Sequence, residues 1–128
     1  MLWLTIIPLL PLLWLWLLRP RRGRRPLPCR LFAHRGLYGG NIPENSLPAF
    51  ERAVEAGCGI ELDVRLTRDG QVVVCHDDSL LRMCGAEARV RDLTLAELKR
   101  LRLKESGETV PTLAEALARV DRRVPLLV

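Results

Sequence analysis

Residues 59–78, GIELDVRLTRDGQVVVCHDD, decide the fold. Ile60, Leu62 and Val64 alternate with Glu61, Asp63 and Arg65, which predicts a strand over residues 60–66. Asp69-Gly70 is a strong two-residue hairpin signal. The apolar run VVVCH (72–76) then predicts a second strand. Only about five residues separate the two runs, too few for a parallel crossover of a dozen or more, so they should pair antiparallel. A two-residue turn at 69–70 would set His76 opposite Asp63.

Upstream, LFAH (31–34) is a short apolar run that predicts a buried strand. A Gly/Pro/Asn-rich loop follows from Gly36 to Asn45. A helix is then expected over 47–56, capped by Asn45 or Ser46, with Pro48 in its first turn and Gly57 at its end. Leu47, Phe50, Ala53 and Val54 form its apolar face. Strand, helix, strand makes a βαβ unit, so strands 31–34 and 60–66 should be parallel.

Downstream, Thr94-Leu-Ala-Glu97 and Thr112-Leu-Ala-Glu115 are capping boxes, each opening a helix. The first should turn Leu95, Leu98 and Leu101 inward, and the second Leu113, Ala116, Leu117 and Val120. VPLLV (124–128) is an all-apolar strand. The order predicts an α/β fold with a parallel sheet. About 98 residues follow position 30, against about 250 for a (β/α) barrel. The expectation is therefore a TIM-type barrel truncated to roughly its first three barrel strands.

Residues 2–18, LWLTIIPLLPLLWLWLL, carry no charge. As a helix they would span roughly 26 Å, just short of a bilayer core. Trp14 and Trp16 resemble interfacial anchors, and the arginines that follow would hold that side in the cytoplasm. A cleaved signal peptide is the rival reading, but the charge follows the apolar run and no small-residue cleavage site is evident. The expected organisation is a transmembrane anchor (1–18), a basic Pro/Arg linker (19–30) and a catalytic part (31–128), with a single-pass membrane location and a cytoplasmic catalytic part.

The formal charge of +5 is uneven. Six of the 20 basic residues (Arg19, Arg21, Arg22, Arg24, Arg25 and Arg30) sit in the linker, leaving 14 against 15 acidic residues. The rest is near neutral, which gives no case for a nucleic-acid partner. Cys29, Cys58, Cys75 and Cys84 form no C-x-x-C pair, so a zinc site of common spacing is not expected. Free thiols are preferred to disulfides here.

Glu61 and Asp63, two apart on a strand, share one face. Two carboxylates in an apolar setting call for a cation, and a hard divalent ion such as Mg²⁺ or Ca²⁺ is the natural partner. The only two histidines, His34 and His76, each end an apolar strand beside a charged residue. Active sites of parallel barrels lie at strand C-terminal ends.

A-H-R-G (33–36), P-E-N-S (43–46), G-I-E-L-D-V-R-L-T-R-D-G (59–70) and V-V-V-C-H-D (72–77) resemble the glycerophosphodiester phosphodiesterase family, as do V-R-D-L-T-L-A-E-L (90–98) and V-P-T-L (110–113). The resemblance covers about residues 31–128. It implies a (β/α) barrel and metal-dependent hydrolysis of glycerophosphodiesters to glycerol phosphate and an alcohol. It implies that His34 and His76 are the acid–base pair, that Glu61 and Asp63 bind the metal, and that Arg35 holds phosphate. Glu44 is expected near the site, or else acts only at the helix entry. A further acidic ligand and a lysine of the family pattern, expected just after VPLLV, have no counterpart in the chain. Two other readings stay open: an inactive membrane-anchored remnant or interaction module, and a related phospholipase acting on lysophospholipid, phosphoinositide or sphingolipid.

Overall fold

The apolar run at 31–34 forms strand β1 (Phe32–His34) in the computed structural model, which describes residues 31–128. The anchor and linker expected over residues 1–30 lie outside the described residues. Among those described, no helix is long and apolar enough to cross a membrane.

Helix α1 (Leu47–Glu55) starts where expected. The Ser46 hydroxyl accepts from Ala49 N–H, and Pro48 occupies the first turn, where no intrahelical donor is missed. Gly57 leaves the helix with φ +67°, a left-handed conformation glycine adopts freely. Ala49, Phe50 and Ala53 are buried, and Leu47 and Val54 partly so.

Strand β2 (Gly59–Glu61) pairs parallel with β1, matching His34 to Glu61. Strand β5 (Leu126–Leu127) pairs parallel on the other side of β2. The sheet order is β1-β2-β5, so β2 is central. One core lies between this sheet and α1 and α4 (Leu113–Val120), built on Phe50, Ile60, Leu62, Val74, Ala116 and Val120.

The single strand expected over 60–66 is instead two. Chain pairing changes at Leu62-Asp63, and β3 (Val64–Leu66) leaves the parallel sheet to pair antiparallel with β4 (Val72–Val74). Val64 and Leu66 are exposed there, so Val64 does not face the core as its alternation suggests. The strand expected over 72–76 ends at Val74.

The turn differs too. Thr67 N–H and Gln71 C=O close the hairpin, Gly70 N–H donates to Thr67 C=O, and Gly70 takes φ +76°. This is a three-residue loop, a tight turn followed by a left-handed glycine, rather than a two-residue Asp-Gly turn. Asp69 favours it by accepting from the Thr67 hydroxyl and from Leu95 N–H. The register therefore shifts by one residue: Cys75 N–H reaches Asp63 C=O, and His76 falls beyond Asp63.

Val73 and Val74 are both fully buried, one in each of two cores. The second core joins Val73 to Leu80, Met83, Val90, Leu98, Leu103 and Val110, under α2 (Leu81–Cys84), a 3₁₀ turn (Val90–Asp92) and α3 (Leu95–Leu98). Both capping boxes are present, at Thr94 with Glu97 and Thr112 with Glu115. Leu98 is buried as expected, with Leu95 and Leu101 packed beside it. Leu117 is not inward: it is half exposed on α4, whose buried stripe is the narrower one through Ala116 and Val120. Among the described residues Cys58, Cys75 and Cys84 form no disulfide, and burial pushes the Cys75 thiol up to about 11.

Candidate active site

The site grows from the turn that follows β1. Arg35 (φ +59°) and Gly36 (φ +81°) are both left-handed, which swings the chain sharply off the strand. A non-glycine residue pays about 1–2 kcal/mol for that conformation. Tertiary bonds hold it: Arg35 N–H donates to Glu61 C=O at 2.8 Å, and Arg35 C=O accepts from Asn45 N–H at 2.9 Å. Gly36 lies so close to α1 that a Cβ there would sit 2.9 Å from Ala49 Cβ.

This turn brings five of the expected residues, His34, Arg35, Glu44, Glu61 and Asp63, together near the C-terminal ends of β1 and β2. His34 Nε2 lies 3.8 Å from Glu61 Oε2. Arg35 Nε lies 3.6 Å from Asp63 Oδ2, and its NH1 donates to Glu44 Oε1 at 3.0 Å. Leu62 is buried between Glu61 and Asp63, whose side chains stay about one-third exposed, so the two carboxylates do alternate with an inward leucine.

Glu61 Oε2 and Asp63 Oδ2 are shielded from solvent and, among the described residues, accept no hydrogen bond, since the His34 and Arg35 nitrogens beside them lie too far away for one. Unpartnered buried carboxylate oxygens are costly. They fit a hard divalent cation as two of the roughly six to eight oxygen ligands such ions take. Among the described residues, no group of three or more His, Cys, Asp or Glu side chains is gathered to hold a metal.

His76 does not reach Asp63 across the hairpin, because the three-residue loop shifts the register. Its Nδ1 instead lies 2.6 Å from Asp77 Oδ1, and its carbonyl accepts from Arg65 Nε and NH2 at 2.8 and 2.5 Å. It joins the other residues through a chain of charges. Arg82 Nε donates to Asp77 Oδ2 at 2.5 Å, and Arg82 NH2 donates to Glu44 Oε1 at 2.7 Å. Hydrogen bonds from Arg82 and then His76 hold the Asp77 carboxyl at about 2, below its usual 3.8. The Arg82 hydrogen bond also lowers the Glu44 carboxyl, against the opposing effect of burial, and the two carboxylates raise Arg82.

Glu44 is thus more than a helix-entry residue: its nearly buried side chain takes two guanidinium groups. Sequence reading misses the bridging part of Arg82, because Arg82 meets Glu44 across 38 positions and no local period signals that contact. The bond from His76 to Asp77 was legible as adjacency alone. Asn45 is buried at φ +53°, and among the described residues neither polar atom of its amide has a hydrogen-bond partner.

The acidic, imidazole and guanidinium groups gather at the C-terminal ends of the parallel strands, the face where (β/α) barrels carry their active sites. Residues 34–128 match the glycerophosphoryl diester phosphodiesterase family, and the chain belongs to it. A glycerophosphodiester phosphodiesterase from Caldanaerobacter subterraneus is 48% identical over 92 residues, covering 66% of this chain and 37% of the relative. A lysophospholipase D from Homo sapiens is 42% identical over 83 residues, covering 64% of this chain and 26% of the relative. Among solved structures, a phosphodiesterase from Oleispira antarctica, in complex with the product sn-glycerol-3-phosphate, superposes with a TM-score of 0.70 at 36% identity. That match covers 78% of this chain and 43% of the other. The fold is therefore part of the family's barrel, and the chain spans about two fifths of the length of its first relatives.

Proposed function

We propose that the chain carries the catalytic edge of an enzyme that hydrolyses glycerophosphodiesters to glycerol phosphate and an alcohol with the help of Mg²⁺ or Ca²⁺. The carrying observation is the pair of unpartnered oxygens on Glu61 and Asp63, beside the His34 imidazole and the Arg35 guanidinium.

In this reading Glu61 and Asp63 hold the cation, which when bound neutralises charge that builds on nonbridging phosphate oxygens. Arg35 binds the same phosphate, its planar fork suited to two oxygens. His34 and His76 move the two protons of the reaction, one from the oxygen nucleophile and one to the leaving alcohol. Asp77 at Nδ1 leaves Nε2 of His76 as the nitrogen for that transfer. Glu44 orients Arg35. Residues 2–18 anchor the protein in a membrane, with residues 31–128 on the cytoplasmic side.

A second reading takes a lysophospholipid as the substrate. The likeness to a lysophospholipase D favours it, and an anchored enzyme would meet such lipids directly.

The test is release of glycerol phosphate from glycerophosphocholine by the protein, with Mg²⁺ or Ca²⁺ and with a chelator. Release should require the cation and fall by about 100-fold or more in His34→Ala, the range expected for a lost acid–base group. Equal turnover in His34→Ala, or none by the folded wild type, rejects the reading; the second outcome favours a remnant. Faster turnover of lysophosphatidylcholine selects the second substrate.

A further inference from the structure

Arg82 belongs to no motif that carries the functional reading, yet it occupies the middle of a continuous chain of charges: His76, Asp77, Arg82, Glu44, Arg35. Its Nε and NH2 take two carboxylates from segments far apart, Asp77 after β4 and Glu44 in the loop after β1. Each carboxylate in turn holds a group assigned to the reaction. Asp77 Oδ1 meets His76 Nδ1, and Glu44 Oε1 accepts from Arg35 NH1.

We propose that Arg82 is a positioning residue, a clasp that fixes His76 and Arg35 in mutual orientation by bridging Asp77 and Glu44. This rests on the reading of His76 as a proton-transfer group and Arg35 as the phosphate holder.

Stability alone does not account for the arrangement. Arg82 is nearly half exposed, and its ion pair with the partly exposed Asp77 contributes little to folding. Geometry is what the guanidinium offers: donors in a rigid fork reach two carboxylates at once, which one ammonium cannot reproduce. Glu44 is the side chain most in need of it, because a nearly buried carboxylate requires full pairing. Without Arg82 it keeps only Arg35, and Arg35 is then drawn wholly to Glu44. Asp77 loses its anchor at the same time and can rotate away from Nδ1. A carboxylate on one imidazole nitrogen fixes the tautomer and the ring plane, so the other nitrogen presents a defined proton state. The lowered Asp77 and Glu44 carboxyls agree with two ionised carboxylates flanking Arg82.

The experiment compares the full chain with Arg82→Met and Arg82→Lys. Nitrogen-15 spectra of the histidine rings report the tautomer of His76, and titration with sn-glycerol 3-phosphate reports phosphate binding. The wild type should show His76 with its proton on Nδ1. Both variants should show mixed tautomers and bind glycerol 3-phosphate about 10- to 100-fold more weakly, as lost supporting shells do. Arg82→Lys keeps the charge and decides the matter if Arg82→Met does not fold. Wild-type tautomer and affinity in Arg82→Lys, or in a folded Arg82→Met, overturn the proposal. A wild type that binds no glycerol 3-phosphate overturns the functional reading instead, and the His76 tautomer then still tests the clasp.

Discussion

Gly36 shows how little freedom the first turn of the site has. It needs a left-handed backbone and has Ala49 against it, at 2.9 Å from where a Cβ would lie. Gly36→Ala should therefore cost about 2 kcal/mol or more, since strain and overlap combine; urea unfolding of the variant measures it. Asp77 gives a pH signature. Its folded value of about 2 lies below the usual 3.8, so the fold favours the ionised form. That contribution is present above pH about 4 and is lost as pH falls through about 2. The stability difference between the wild type and Asp77→Asn should shrink over that window, which denaturant titrations at stepped pH would follow. At this scale the sequence was informative where chemistry is local. His34, Glu61 and Asp63 sit at neighbouring strand ends, and strand reading finds them, whereas Arg35 comes from the family resemblance. The joining of Glu44 to Arg82 depends on tertiary packing, so it was not legible.

Elements were legible where capping and period agree. Helix α1 runs Leu47–Glu55 with its Ser46 cap, and both Thr capping boxes form. Phe50 on α1 is fully buried in the first core. Phe50→Ala should lower stability by about 3–5 kcal/mol, read as a shift in the thermal or urea midpoint. Strand limits were less legible for a physical reason. Alternation continues through GIELDVRL, but hydrogen-bond partners change after Glu61, and alternation carries no information about partners. The hairpin was recognised from Asp69-Gly70, yet a left-handed glycine serves a two-residue or a three-residue loop equally well. Asp69, bonded to Thr67 and to Leu95 N–H, selects the longer one. That single residue moves His76 from Asp63 to Asp77 as its partner. Leu117 follows the same logic: helical spacing marks it as apolar, but the width of the buried stripe is set by what packs on α4.

At the scale of the whole molecule, three parallel strands in the order β1-β2-β5 place β2 centrally and gather the candidate residues at one edge of the sheet. The hairpin and the second core lie beyond that edge's carboxylates and carry His76 and Arg82 back to it. The fold was legible as a parallel α/β unit because the βαβ spacing and the too-short connection at 67–71 leave few alternatives. The central claim is that Glu61 and Asp63 hold a divalent cation at this edge. Calorimetric titration of the full chain with Mg²⁺ and with Ca²⁺, beside Glu61→Gln and Asp63→Asn, tests it most directly. The account predicts one cation per chain in the wild type and binding weakened by about tenfold or more in each variant; undiminished binding in both variants, or none in the folded wild type, would contradict it.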